Sequence, residues 1–345
     1  MDLFTNLDLF GYIDEYTDLR SLCDTCTLLL TFKQYITYKL NEKYSLMYYD
    51  DVLFRQRVLN KIFNPYKQLH LDLSDCNEIS DVSALGNIHT LLLMHCDKIT
   101  DVSALGKVHR LCLEGCTNIT DVSALGNVYD LDLSRCDKIT DVSALGKVYS
   151  LILFRCKRIT DVSALGNVHT LDLSDCDKIT DVSALGKVHT LNLSCCSQIT
   201  DVSMLGNVYE LNLRFCDKIT DVSALGNVHT LDLFKCNQIT DVSALGNVHT
   251  LDLSDCKNIS DVSALGNVHI LNLSYCKKIT NVSMLGNVYE LYLRSCNLIS
   301  DVSALGNVHI LDLCECHQIT DVSALGNVHT LILPYHLIKN DSYRL

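Results

Sequence analysis

The sequence has no tryptophan and only two prolines, Pro65 and Pro334, in 345 residues. Neither falls between 66 and 333, so nothing in that stretch removes an N–H from a backbone ladder. Cations are short as well: 28 Lys and Arg face 41 Asp and Glu, for a formal charge of −13 and a pI near 5.3. A phosphate-binding surface leans on clustered Lys and Arg, so no nucleic-acid partner is expected. No run approaches the ~18 apolar residues of a membrane span. The N-terminus reads MDLFTNLDLFGYIDEYTDL, acidic where a signal peptide opens basic. A soluble, cytoplasmic protein without a membrane partner is expected. G-x-S-x-G, phosphate-loop and H-E-x-x-H motifs are absent, so the sequence supports neither an enzyme nor a cofactor. The 18 cysteines then read as thiols of a reducing compartment, not a disulfide framework.

What the chain does have is a 20-residue repeat, present thirteen times from Leu71 to Thr330 without insertion or deletion. Its unit is L-x-L-x-x-C-x-x-I-T/S-D-V-S-A-L-G-N/K-V-H/Y-x. Leu71, Leu73, Cys76, Ile79, Val82, Ser83, Leu85 and Gly86 recur in every copy, and Asn281 is the single departure from the Asp81 position. The alternating L-x-L marks a short strand with one buried face. A single unit cannot bury that face, so the copies must stack coil on coil around a continuous core. The segment TDVSAL predicts a 3₁₀-like turn capped by Asp or Ser, with Gly86 giving the freedom to turn back toward the strand.

The pattern L-x-x-L-x-L-x-x-C-x-x-I resembles the leucine-rich repeat, with Cys in the usual Asn or Cys slot. The resemblance implies an α/β solenoid, a horseshoe or arc of about thirteen repeats with a parallel concave sheet that binds protein. The wording C-x-x-I-T-D is similar to the cysteine-containing repeats of F-box proteins. The expected organisation is a helical cap over 1–66, a solenoid over 67–333 and a tail over 334–345. In the tail, Leu331, Leu333, Leu337 and Ile338 either cover the last coil or leave an edge for self-association.

Stacking in register turns each fixed position into a row. The Cys76–Cys316 row reads as small buried side chains with weak S–H donors, ahead of metal or disulfide chemistry. The His89–His329 row, with Tyr at 129, 149, 209 and 289, reads as aromatic stacking ahead of a metal comb or a pH sensor, because Tyr at four rungs counts against a metal. The Asp81–Asp321 row reads as backbone capping; calcium would call for Gly-rich turns that are absent. No metal is expected, and the lone Cys23-Asp24-Thr25-Cys26 has no second pair.

The positions that change are the outward strand residues and the loop beside them. Most copies carry Thr, Asp, Asn or Ser there, and three groups depart. The first is Arg135, Ile152, Phe154 and Arg155. The second is Glu210, Arg214, Phe215, Phe234 and Lys235. The third is Ile270, Tyr275, Glu290, Tyr292, Arg294 and Ile310. Aromatic residues beside Arg are common interface anchors, so these are candidate protein-binding residues; drift on an unconstrained surface is the competing reading.

Residues 1–70 do not repeat. Their apolar spacing predicts short helices near 5–13, 17–24, 26–40 and 50–62. The stretch LFGYIDEYTDLRSLCDTCTLL resembles an F-box through Leu9, Phe10, Tyr12, Ile13, Asp18, Leu19, Leu22 and Cys26. In that family the helices dock on the S-phase-kinase-associated adaptor of cullin ubiquitin ligases, and the repeats hold the target. The usual opening Leu-Pro is replaced here by TNLDLF. The combination is similar to F-box/leucine-rich-repeat proteins of giant amoeba-infecting viruses, which implies the host cytoplasm. The competing reading makes these residues only an end cap for the solenoid.

Overall fold

The computed structural model describes residues 38–61 and 69–338, with the backbone of Leu7 and Asp8. The chain forms two compact units, Met1–Ile159 and Thr160–Leu345. The first contains β1 (Leu7–Asp8), β2 (Tyr38–Lys39), β3 (Leu69–Asp72), β4 (Thr90–Leu92), β5 (Arg110–Cys112), β6 (Asp130–Asp132) and β7 (Ser150–Ile152). The second contains β8 (Thr170–Asp172), β9 (Thr190–Asn192), β10 (Glu210–Asn212), β11 (Thr230–Asp232), β12 (Thr250–Asp252), β13 (Ile270–Asn272), β14 (Glu290–Tyr292), β15 (Ile310–Asp312) and β16 (Thr330–Ile332). Within each unit, successive strands pair in parallel. From β3 onward the offset is one repeat, as in Leu211↔Leu231↔Leu251. This is the solenoid anticipated from the L-x-L pattern.

One coil shows why each apolar position is fixed. Leu111, Leu113, Cys116, Ile119, Val122, Leu125 and Val128 are all at most 2% exposed. The strand supplies two leucines to the interior, the bend after it supplies Cys and Ile, and a 3₁₀ turn over Ser123–Leu125 supplies Val and Leu. The turn closes through Leu125 N–H to Val122 O at 2.9 Å and Val128 N–H to Leu125 O at 3.0 Å.

The glycine present in every repeat has a different reason from the one expected. Gly86 sits at φ −64°, ψ −8°, a right-handed conformation open to any residue. A Cβ there would lie 2.2 Å from the carbonyl oxygen of Ala104 in the next coil. Glycine is required because stacked turns press backbone to backbone, not for conformational freedom. Gly326, in the last coil, would meet nothing within 4 Å.

The left-handed conformation falls instead on the residue before each cysteine. It is adopted by Asp75, His95, Arg135, Arg155, Phe215, Lys235 and Tyr275 among others, at φ between 54° and 65°. Only one copy places glycine there, Gly115. The ladder imposes it: Arg135 N–H still donates to Phe154 O at 2.7 Å while the chain bends inward to bury Cys136.

The N-terminal region departs from the helical expectation. Residues 7–8 and 38–39 are strands, in ranges predicted as helix, and β1 pairs β2 while β2 pairs β3. The reason is visible in Tyr38-Lys39-Leu40, an alternation with Tyr38 and Leu40 buried and Lys39 exposed. An unpredicted helix, α1, spans Glu42–Asp50; Asn41 caps it by accepting from Tyr44 N–H at 3.1 Å. The helix α2, Val52–Lys61, matches the one expected near 50–62, and Asp51 accepts from Leu53 N–H at 2.8 Å at its start. Ser45 ties α1 to the sheet, donating to Leu40 O at 3.2 Å and accepting from Asp72 N–H at 3.4 Å. At the other end, Pro334 follows β16 and does not lie within it, and a short helix, α3, spans Tyr335–Ile338. Leu337 is buried, while Ile338 is 62% exposed.

Candidate functional site

Strand alternation divides each coil. In β11, Leu231 points into the core while Thr230 and Asp232 lie on the open face of the sheet, and the following loop adds Phe234 and Lys235. The parallel register aligns these positions from strand to strand.

The three groups singled out from the sequence are each assembled in space. In the first unit, the guanidinium carbons of Arg135 and Arg155 lie 5.8 and 5.2 Å from the centre of the Phe154 ring. Ile152 is half-buried on the neighbouring strand position. In the second unit, Phe215 and Phe234 meet edge to face at 5.1 Å. Arg214 stacks on Phe234 at 4.4 Å and pairs with Asp232 at 2.9 Å. Lys235 sits 5.3 and 5.1 Å from the two rings. Burial pushes the Asp232 carboxyl above its ordinary range, against the opposing pull of the Phe234 N–H and Arg214. Glu210 is exposed on β10 beside this cluster. In the third group Ile270, Glu290 and Ile310 are consecutive rungs of the ladder. Tyr292 donates to Glu290 at 2.9 Å, and Arg294 pairs with Glu315 at 3.2 Å. Tyr275 is 40% exposed on the adjoining loop.

A shallow depression of about 190 Å³ on the first unit was not anticipated. Leu92, Cys112 and Ile152 line it, beside the Arg110–Asp130 pair at 2.9 Å. The signal was present: Leu92, Cys112 and Ile152 stand where most copies carry Asp or Asn. The F-box-like residues Leu9, Phe10, Tyr12, Ile13, Asp18, Leu19, Leu22 and Cys26 lie outside the described residues, as does the Cys23–Cys26 pair.

The fixed rows are architectural. Each core thiol donates to a leucine carbonyl one coil back, as Cys136 to Leu113 O at 3.3 Å and Cys216 to Leu193 O at 3.2 Å. Burial pushes the Cys156 thiol up to about 12, far from a reactive thiolate. The ring row stacks at 4.5–4.8 Å: His89, His109, Tyr129 and Tyr149 in the first unit, His169 to His329 in the second. Several imidazoles direct Nδ1 to the next threonine, as His249 to Thr250 at 3.2 Å, which occupies that nitrogen. Asp101 accepts from Ser103 N–H at 2.8 Å, and that bond holds its carboxyl below the ordinary range. Asn281 does the same for Ser283 at 2.9 Å. Among the described residues no group of three His, Cys, Asp or Glu side chains is placed to hold a metal ion.

Comparison with known proteins agrees with this geometry. A Leucine Rich repeat family model matches residues 167–186. Among solved structures, an internalin (InlF) of Listeria monocytogenes is similar at 22% identity over 73% of this chain and 83% of that one, with a TM-score of 0.53. The functional domain of InlJ from Listeria monocytogenes, described as including a cysteine ladder, is similar at 22% identity over 76% of this chain and 60% of that one, with a TM-score of 0.50. Comparison with curated proteins gives no match. The fold is that of a leucine-rich-repeat solenoid.

Proposed function

We propose that the chain is a non-enzymatic protein-binding scaffold whose open sheet face holds a target protein, and that its F-box-like segment recruits the S-phase-kinase-associated adaptor of a cullin ubiquitin ligase. The observation that carries the binding role is the coincidence of aromatic and cationic side chains with strained backbone. Arg135, Arg155, Phe215, Lys235 and Tyr275 all occupy left-handed positions where the other copies place Asp, Ser, Gly, His, Cys or Glu. Bulky residues cost about 1 kcal/mol or more there, and such strain concentrates where a surface has work to do. An open sheet face suits a protein partner better than a small molecule, which needs a deeper pocket.

The adaptor role rests on the Leu9-Phe10-x-Tyr12-Ile13, Asp18-Leu19 and Cys26 spacing. The cytoplasm goes with it, since the row of S–H donors operates only while the thiols stay reduced. Titration of the full chain with a eukaryotic S-phase-kinase-associated adaptor tests it. Saturable binding at micromolar concentrations or tighter, lost in Phe10→Ala with Leu19→Ala, is the expected result. Separate migration of the two proteins at high micromolar concentration would eliminate the adaptor role.

One observation favours the alternative, a general scaffold in which the N-terminal residues only cap the array. The strand pairings Leu7↔Tyr38 and Tyr38↔Leu69 are each offset by 31 residues, so these N-terminal strands extend the same ladder that the repeats continue.

A further inference from the structure

The face of β13–β15 in the second unit has a feature the other rungs lack. Glu290 stands between Ile270 and Ile310 in register, and the Tyr292 ring lies two residues along the same strand. In most other copies the corresponding rung is Thr, as in Thr230 and Thr250. All four side chains are half-buried. A carboxylate is thus set in an apolar floor, and its single hydrogen bond is from a neutral hydroxyl, Tyr292 Oη at 2.9 Å.

Charge on the surrounding face is unbalanced in one direction. From β10 to β15 the cations between each strand and its cysteine are already paired: Arg214 with Asp232, Lys235 with Asp255, Arg294 with Glu315. The carboxylates of Glu210, Asp252, Glu290 and Asp312 have no cation partner. Asp252 accepts only from Ser254 and Asn272, and Asp312 from Cys314 N–H. Carboxylates at partly buried sites gain most from an incoming charge-assisted donor.

We infer that β13–β15 form a docking site for a basic side chain of a partner protein, a Lys or Arg whose stem lies along Ile270, Ile310 and Tyr292 and whose head meets Glu290. Lys and Arg are built for such a site, with an apolar stem and a charged tip. The flanking Asp252 and Asp312 draw further positive charge on the same segment. The inference rests on the scaffold reading and gives its partner a chemistry.

The test uses the full chain and two short labelled peptides, one alternating Lys with Leu and the other with Glu in place of each Lys, read by fluorescence anisotropy. The Lys peptide saturates and the Glu peptide does not. The triple change Ile270→Thr, Glu290→Thr, Ile310→Thr installs the commonest residue at this rung, so the coil is preserved, and it weakens binding about tenfold, the scale of a desolvated interface anchor. Asp221→Asn with Asp241→Asn removes two carboxylates from the 3₁₀ turns and leaves binding within about twofold, as expected for charges screened by salt. Equal weakening by both sets would reduce the effect to bulk charge and overturn the assignment. Tighter binding of the Glu peptide, or none of the Lys peptide, would overturn it too. Neither of those two results touches the scaffold reading, which stands or falls on loss of a protein target when Phe154, Phe215 and Phe234 are replaced by Ser.

Discussion

At the residue scale, identical letters in the repeat answer to different forces. Gly226 is needed because a Cβ would lie 2.3 Å from Ala244 O, whereas Gly326 faces open space. Gly226→Ala should cost about 1–3 kcal/mol, the range for overpacking, and Gly326→Ala should be neutral or slightly stabilising, since its φ of −61° suits alanine. Urea midpoints of the two variants check this; equal losses would contradict it. Cys136 is fully buried and donates to Leu113 O. Cys136→Ser keeps a donor and should cost about 1 kcal/mol, while Cys136→Asp buries a charge and should cost several-fold more. An unchanged melting temperature in Cys136→Asp would refute the buried reading. His95, at φ 58°, offers the opposite case: His95→Asn should gain up to about 1 kcal/mol, because Asn tolerates that conformation.

At the element scale, rows behave as units. His249 lies between His229, stacked at 4.6 Å, and His269, tilted at 4.7 Å. Partial burial lowers its pKa below 6.5, and the neighbouring imidazoles push the same way. With the folded pKa depressed, the unfolded chain binds the proton first as pH falls. Stability is therefore full above about 6.5 and declines as pH drops through the folded value. His249→Tyr, a residue four other rungs use, should flatten that decline in thermal melts between pH 7 and 5. The aspartate row follows the same rule at lower pH: Asp221 has its carboxyl held down by the Ser223 N–H, and its contribution disappears as pH falls below the carboxylate range. Asp221→Asn should lower the melt only slightly at neutral pH, because Asn281 shows an amide making the same cap, and should remove this rung's share of the decline at acid pH.

At the scale of the whole molecule, nearest-neighbour stacking sets what the array tolerates. Core positions 221–240 reappear unchanged in 241–260, so excising 221–240 rejoins equivalent coils. The shortened chain should fold with nearly the same circular dichroism per residue, because only one unit and one interface are lost. Collapse of the signal would mean that the coils are not interchangeable. Removing residues 1–66 should instead expose the first coil, whose Leu69 and Leu71 are now fully buried. Under the adaptor reading that deletion abolishes adaptor binding as well as weakening the first coils.

The sequence alone determined the stacked strands, the coil length, the buried rows and the 3₁₀ turns, because one apolar pattern repeated at a fixed interval has a single way to bury itself. It also pointed to the variable outward residues, since these are the positions the core leaves free. Three things were decided only by the tertiary structure. Backbone-to-backbone contact between coils explains the glycine, and no single coil contains that contact. The left-handed residue before each cysteine is forced by the ladder, so it appears even where Phe, Lys or Tyr disfavours it. The strands at 7–8 and 38–39 form in ranges whose local spacing favours helix, because their partners lie 31 residues away and only the assembled sheet offers the missing hydrogen bonds.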